Sequence, residues 1–272
     1  AAAARSLPSR LDTVTMAGLT NYAQQKVLEQ LLRGTAYTPP ASVWTGHLST
    51  MYADDGTGGV QITAAGSGRL ATTFGAYASR RISNSADLLW TAGAAWPLLV
   101  GQGIWDAASA GNLLAQGPTT PNVTLANGDP FTVLAGQLQI DLAKYGPWLA
   151  QYVLELLFKG QAKSQVTVYG HLCSTAPSDD GAGAVVITGT GYAPLAVPAW
   201  AAYSAGRCYL AADLNYGNAG SAWGVLKAVM WRDNVSPTGG NFLQQQPILP
   251  EPTIASGNPV VLSAASTFFS LD

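Results

Sequence analysis

Hydrophobic positions recur at helical spacing near the start of the chain and again past its middle. Four apolar residues share one helical face: Val27, Leu28, Leu31 and Leu32. Thr20 or Asn21 can cap the start of this helix, and Gly34 stands where a left-handed residue ends it. The pattern predicts one short amphipathic helix ahead of a long stretch without helical periodicity.

A second helix is predicted from Pro147, whose ring suits the first turn of a helix. Residues 153–158 are apolar around most of the helix, and Gly160 follows them. A helix that is apolar over more of its circumference is more deeply buried. We therefore expect the second helix to pack against the other half of the chain as well as its own.

After each helix the hydrophobic period changes to two, which is typical of β-strands. In residues 43–49 and 166–172, His47 and His171 fall on the face opposite to Gly46 and Gly170. Several more short β-prone runs follow, separated by glycine, proline and asparagine. The sequence thus predicts a mainly β protein built from β-sandwich units, jelly-roll-like, each opened by one short α-helix.

Ordered self-similarity along the chain shows that these units are two copies of one another. The matched segments are residues 27–34 with 153–160, 46–48 with 170–172, 54–56 with 179–181, 111–114 with 240–243, and 128–130 with 257–259, together with Trp96 and Trp105 matched to Trp223 and Trp231. In this alignment His47 is equivalent to His171. The repeat is about 125 residues long, the size of a domain.

The repeat predicts a first unit at residues 16–142 and a second unit at residues 143–272, joined by a very short linker. Residues 1–15 have no counterpart in the second unit, and Pro8 interrupts any early helix. We expect them to form an extended arm that lies on a neighbouring subunit, with Arg5, Leu7 and Arg10 as its candidate partner-binding residues. The alternative is an arm that folds back onto its own domain.

Composition narrows the class of protein. Only 10% of the 272 residues are charged, against about 25% in an average soluble domain, while 48% are hydrophobic. A net charge of −2 argues against a nucleic-acid partner, and the hydrophobic content argues against a disordered chain. No apolar run is long enough for a membrane helix, and the first residues lack the apolar segment of a signal peptide.

The candidate chemical groups do not form a catalytic arrangement. His47 and His171 are the only histidines and have no ligand-spaced Cys or carboxylate nearby, so each is expected to make a local hydrogen bond. No nucleophile motif with a histidine partner is found. The sequence therefore predicts a non-enzymatic protein without metal or cofactor.

Two acidic pairs and two cysteines complete the candidate groups. Each acidic pair precedes a glycine, which indicates a turn first, with cation binding left open: Asp54 and Asp55, Asp179 and Asp180. Cys173 and Cys208 are too few for a disulfide scaffold and are expected to be small buried thiols.

Several segments resemble a family of putative tail-fibre or minor virion proteins of tailed bacteriophages. The segments that carry the resemblance are residues 19–22, 34–40, 43–50, 104–107, 111–114 and 128–131 of the first unit and 191–193 of the second. The first unit has residues 66–70 where the family pattern has Gly-Gly-Gly-Tyr-Ala-Arg. The second unit has Pro194 in place of that arginine and lacks the Tyr-Thr-Pro-Pro segment.

The resemblance implies a structural protein of a phage virion that contacts other virion proteins and its own copies. Our main interpretation is a capsid decoration or cement protein that joins major capsid subunits. A tail component, such as a fibre, collar or baseplate protein for host attachment, is the second hypothesis. A carbohydrate-binding module is the third.

Overall fold

A computed structural model describes residues 9–10, 14–16 and 18–271. The elements of the first unit are β1 (Ser9–Arg10), β2 (Val14–Met16), β3 (Gly18–Leu19), α1 (Asn21–Arg33), β4 (Val43–Thr50), β5 (Val60–Gln61), β6 (Leu70–Thr72), β7 (Arg81–Ser83), β8 (Leu88–Thr91), β9 (Trp96–Trp105), β10 (Leu113–Leu125), β11 (Pro130–Val133) and β12 (Leu138–Asp141). Neither helix in the described residues is long and apolar enough to cross a membrane.

The second unit repeats this order from its own helix onward. Its elements are α2 (Pro147–Phe158), β13 (Tyr169–Thr175), β14 (Val185–Val186), β15 (Leu195–Ala196), β16 (Arg207–Tyr209), β17 (Leu214–Asn218), β18 (Gly224–Val225), β19 (Ala228–Arg232), β20 (Phe242–Pro247), β21 (Thr253–Ile254), β22 (Pro259–Leu262) and β23 (Phe268–Ser270). The prediction of a mainly β protein with a helix at the start of each unit is confirmed.

Each unit is a sandwich of one larger sheet and smaller ones. In the first unit the larger sheet runs β3-β10-β9-β4-β5, with β6 also paired to β4. The sheets β1-β11-β8 and β2-β12-β7 complete it. The second unit has β14-β13-β19-β20, with β15 on β13, and the pairs β16-β23, β17-β22 and β18-β21.

The helix ends follow the signals in the sequence. Thr20 caps α1, and its hydroxyl accepts a hydrogen bond from the amide of Ala23. Gly34 ends α1 with φ of 66°, a left-handed conformation that glycine adopts at little cost. Pro147 opens α2 in its first turn, where the missing N–H costs nothing.

The turns between strands are also repeated in detail. The indole of Trp96 donates to the carbonyl of Ala65, and the indole of Trp223 donates to the carbonyl of Thr190. The backbone amide of Gly128 donates to the carbonyl of Ala92, and that of Gly257 donates to the carbonyl of Ala219 (both 2.7 Å). Long-range bonds that recur at matched positions show that the two units share one fold, as the ordered matches predict.

The described part of residues 1–15 does not extend away from the molecule. β1 pairs in parallel with β11, and β2 pairs in parallel with β12 of the same chain. Val14 and Met16 alternate with the exposed Thr15 and are fully buried in the core. The described residues 9–10 and 14–15 thus pair with free strand edges of the first unit, which agrees with the alternative of an arm that folds back onto its own domain.

The helices join the two units by lying between them. α1 contacts β10 of its own unit, but also β16 and β23 of the second unit. α2 contacts β20 of its own unit and β7 of the first. Apolar residues of both helices and of both units belong to one continuous core. The expectation that the second helix packs against the other unit is thus correct, and it holds for both helices.

Polar contacts fix this reciprocal packing. At the end of α1, the Arg33 guanidinium donates to the carbonyl of Trp200 at 2.8 Å. The Glu29 carboxylate accepts the amide of Tyr203 at 2.9 Å. On the opposite side, the hydroxyl of Tyr77 donates to the carbonyl of Pro147 at 2.7 Å. Each unit therefore holds the helix of the other.

We expect Glu29→Ala to loosen the junction between the units. The substitution removes the charged acceptor of the Tyr203 amide and the ion pair with Arg33 (2.7 Å). A hydrogen bond to a charged group contributes about 1.5–3 kcal/mol, so the free energy of unfolding should fall by about that amount. Hydrogen exchange at the Tyr203 amide should become faster in the variant.

The matched control is Glu155→Ala in α2, because the Glu155 carboxylate bonds to Lys163 and Gln151 of its own unit. This variant should leave exchange at Tyr203 unchanged. Equal acceleration of Tyr203 exchange in both variants would contradict a specific role of Glu29 at the junction.

Candidate functional site

The two histidines are not equivalent in the structure, which corrects the sequence alignment by one residue. The amide of Ile62 donates to the carbonyl of His47, and the amide of Ile187 donates to the carbonyl of Leu172, not of His171. Leu172 therefore holds the position of His47, and His171 holds that of Gly46. A shift of one residue along a strand moves a side chain to the opposite face of the sheet.

The same shift changes the matched tryptophans. His47 pairs with Gln102, whereas Leu172 pairs with Val229. If the residues after Gln102 in β9 are matched one by one with those after Val229 in β19, Ile104 is equivalent to Trp231 and Trp105 to Arg232. Trp231 therefore faces the core, as Ile104 does. The predicted match of Trp105 with Trp231 is therefore wrong, while that of Trp96 with Trp223 is confirmed.

His47 lies in a closed aromatic box. Its ring is fully buried, with ring centres of Trp90, Trp96 and Phe131 at 4.3, 4.9 and 5.1 Å. Both ring nitrogens, and both polar atoms of the Gln102 amide, find no hydrogen-bond partner among the described residues. The expected local hydrogen bond is thus not made by His47. Burial without a partner lowers the pKa of His47 to about 3.

His171 behaves as the sequence predicts. Its Nε2 donates to the carbonyl of Asn234 at 2.9 Å. Burial lowers the pKa of His171, and the bond to Asn234 opposes that effect. The described residues contain no cluster of three or more His, Cys, Asp or Glu side chains that could hold a metal ion.

A loop after β9, and its counterpart after β19, has the same internal clamp in both units. The Asp106 carboxylate accepts both the amide and the side-chain N–H of Asn112, at 2.6 and 2.8 Å. Asp233 makes the same two bonds to Asn241. Gly111 has φ of 70° and packs against the Asp106 carboxylate, where a Cβ atom would clash. These contacts explain the repeated Gly-Asn pairs.

In the first unit this loop is supported by Arg69. Its guanidinium stacks over the ring of Trp105 at 4.0 Å and donates to the carbonyls of Ala107 (2.9 Å) and Ala110 (2.6 Å). A Cβ atom on Gly46 would lie 3.0 Å from Arg69 and 3.1 Å from Trp105. The absence of a side chain at residue 46 therefore makes room for the stacked pair.

The second unit supports its loop with different residues. Pro194 is equivalent to Arg69. His171 is equivalent to Gly46, and Arg232 is equivalent to Trp105. Arg232 donates to the carbonyls of Gly239 and Gly240 at 3.1 and 3.2 Å. The loop is thus held in both units, but among the described residues only the loop of the first unit is supported by an arginine stacked on a tryptophan.

A cleft of about 360 Å³ opens beside Arg69 in the first unit, and we call it the Arg69 cleft. It lies between the start of α1, the turn at residues 52–56, Arg69 and the loop at residues 106–112. Tyr22 and Tyr52 are half-buried in its walls, while Asp54 and Asn112 are exposed. Burial and the neighbouring Asp106 carboxylate raise the pKa of Tyr22, so this phenol stays protonated at neutral pH.

Tyr52 is held in place at this cleft. The amide of Gln116 clamps its backbone, accepting from the Tyr52 N–H at 2.9 Å and donating to its carbonyl. The ring of Tyr52 lies directly against Gly59, where a Cβ atom would overlap it. In the second unit the corresponding Gln245 has an unpartnered side-chain oxygen within the described residues.

The corresponding recess of the second unit is built differently. It measures about 340 Å³ and is lined by Phe242, residues 144–146 and Asp179. Phe242 packs onto the turn, since a Cβ atom on Gly181 would lie 2.6 Å from its ring. Pro177 and Pro194 stand where the first unit has Tyr52 and Arg69. The second recess therefore lacks the tyrosine and the arginine of the Arg69 cleft.

The remaining predicted groups take their expected structural roles. Residues 54–56 and 179–181 form turns, and Asp55 and Asp180 bond to hydroxyl and amide groups of those turns. Cys173 and Cys208 are free and buried, and burial raises the pKa of each thiol to about 12. Both sets of observations agree with the sequence interpretation.

The candidate partner-binding residues of the predicted arm are described only in part. Arg5 and Leu7 lie outside the described residues. The backbone of Arg10 pairs with Thr132 of β11 in the same chain. The described strand β1 thus agrees with the alternative of an arm on its own domain, and partner binding by these residues stays a prediction.

Sequence reasoning missed the residues that form the Arg69 cleft. Tyr22, Tyr52, Arg69 and Asp106 come from four separate segments, and no short motif connects them. One signal was present: the repeated Gly-Asn pair follows a tryptophan and an aspartate in both units, which marks a closed loop rather than a strand turn. Only the folded chain shows what lies next to that loop.

The described residues define a duplicated, mainly β protein with an aromatic cleft in its first unit. A family model described as Podophage GP4 fiber I protein gp80 matches residues 18–141 and again residues 145–269. The protein therefore belongs to this family, in two tandem copies, and is a structural component of a phage virion that associates with other virion proteins. A comparison with curated proteins finds no significant match.

We expect the buried His47 to make the protein sensitive to acid. Its pKa is about 3 in the folded state and 6.5 in an ordinary environment, so the unfolded state binds the proton first. The neutral His47 thus contributes to the free energy of unfolding above about pH 6.5. This contribution is lost as the pH falls toward 3, by ~1.4 kcal/mol per pH unit. His47→Leu, which copies Leu172, should remove that contribution when urea unfolding is measured across this range.

The control is His171→Leu, which leaves His47 in place and should retain the steeper loss of stability. The double variant His47→Leu/Gln102→Val copies both residues of the second unit. It also removes four unpartnered polar atoms and should be more stable than the natural protein at neutral pH. An unchanged pH dependence in His47→Leu would show that His47 is not held neutral.

Proposed function

We propose that the protein is a tail component of the virion, a fibre protein that takes part in host attachment, rather than a capsid decoration protein. The observation that carries this proposal is the match of a podophage fibre family to both units. The tail hypothesis of the sequence analysis thus replaces decoration as the main interpretation.

The architecture supports a role in adhesion by a rigid body. The two helices are shared between the units, so the chain presents two linked sandwiches in a fixed arrangement. A rigid scaffold with loops at its surface is the usual arrangement for binding sites. A non-enzymatic role fits the structural family and the local hydrogen bonds that occupy Asp106, Asp233 and His171.

Partners within the virion follow from this role, because a fibre protein attaches to other tail proteins. Binding of Arg5 and Leu7, which precede the paired strand β1, to a neighbouring tail protein is part of this proposal. Self-association on the virion is the second part, because duplicated domains suit positions near symmetry axes.

Antibody labelling of intact virions tests the location. Gold-labelled Fab fragments raised against this chain should mark the tail or its vertex in electron micrographs. Particles from which the tails have been removed serve as the control and should lose the label. Label spread evenly over the heads would overturn the tail proposal and favour decoration.

A further inference from the structure

The chemistry of the Arg69 cleft selects one class of ligand. Its volume of about 360 Å³ is at the lower end of the range for small-ligand pockets, about 300–1,000 Å³. Two tyrosine rings and several polar groups line it. A ring that is apolar on its face and polar at its hydroxyl suits a ligand with the same mixed character.

Charged ligands fit this cleft poorly. The guanidinium of Arg69 is committed to the protein, since it donates to Gln61 and to two loop carbonyls. It is therefore not available to bind an anion. The carboxylates of Asp54, Asp55 and Asp106 also repel an anionic ligand. The same guanidinium partly offsets the attraction of these carboxylates for a cation, and the carboxylates of Asp55 and Asp106 already accept hydrogen bonds from Thr57 and Asn112.

An apolar ligand fits poorly as well. It would cover the exposed carboxylate of Asp54 and the side-chain carbonyl of Asn112 without giving them hydrogen bonds, which is costly. Hydroxyl groups avoid that cost because they donate to carboxylates. The C–H faces of a sugar ring meanwhile cover the aromatic surface of the walls.

We propose that the Arg69 cleft binds a neutral saccharide, with Tyr22 and Tyr52 against the sugar ring and Asp54 and Asn112 bonded to its hydroxyl groups. The inference rests on the proposed function for the source of this glycan, the surface of the host. Its physical basis is independent of that source. The clamp of Gln116 on Tyr52 and the Arg69 support of the loop hold the walls ready before a ligand arrives.

The site exists once in the described part of the chain. The second unit has Pro177 for Tyr52 and Pro194 for Arg69, and Phe242 lies over its turn. The full chain should therefore bind one saccharide per molecule, through the first unit. This asymmetry also supplies matched controls at equivalent positions of the same fold.

The test is binding of the full-length protein to an array of neutral mono-, di- and trisaccharides of hexoses and N-acetylhexosamines, followed by titration calorimetry of the best ligand. Tyr52→Ala should weaken binding about tenfold or more, the loss expected for a stacked ring. Asp54→Asn should weaken it by about a similar factor, through loss of a charged acceptor. Asp179→Asn, its counterpart in the second unit, should bind as the natural protein does.

The inference is overturned if no saccharide on the array binds, if Tyr52→Ala binds as well as the natural protein, or if Asp179→Asn loses as much affinity as Asp54→Asn. Glucuronate and putrescine serve as anionic and cationic probes, and preferential binding of either would also overturn it. Circular dichroism confirms that each variant is folded. Tail labelling without saccharide binding would leave the proposed location intact, whereas saccharide binding with head labelling would overturn the location alone.

Discussion

The arrangement of the molecule depends on the exchange of helices between the two units. α2 is apolar over most of its circumference, and such a helix must be buried on all sides, whereas α1 is amphipathic and buries one face. Both helices lie between the sandwiches, where α2 contacts β7 and α1 contacts β16. The result is one continuous core, so the two units form a single body in which neither helix can be removed without exposing the other unit.

This exchange makes the chain equivalent to a two-fold dimer in which the partners are covalently joined. Covalent joining frees the two halves to differ, because a substitution in one half is no longer repeated in the other. The backbone turns, the capping glycines and the Asp–Asn clamp are kept in both units. The side chains that support the clamp are not: Arg69 with Trp105 serves one unit, and Arg232 with His171 serves the other.

The difference between the units extends into their cores. The first unit buries His47 beside Gln102, with four polar atoms unpartnered among the described residues, at a cost in stability. The second unit has Leu172 and Val229 at these positions, and its own unpartnered polar atoms belong to His171, Arg207, Trp231 and Gln245. The first unit also has the Arg69 cleft. The two halves of the duplicate thus differ both in where their cores hold polar groups and in the surface beside the clamped loop.

The sequence by itself determined the periodic features of the protein. Helical spacing, the cap at Thr20, the left-handed Gly34 and the strand alternation depend on local backbone geometry, so they could be predicted without knowing any partner. The duplication and the family could also be recognised, because ordered matches survive loop insertions. Within this local information, the free thiols and the acidic turns were correctly interpreted.

Tertiary structure alone decided how the strands of the two units correspond and which distant residues lie next to one another. The Gly-His-Leu triplets at residues 46–48 and 170–172 are identical, yet the paired strands shift them by one residue and place the two histidines on opposite faces. The identical triplets favour the wrong register, whereas the strand pairing matches Ser49 and Thr50 with Ser174 and Thr175. The Arg69 cleft was equally hidden, since its residues come from distant segments that meet only when β4, β9 and α1 pack together.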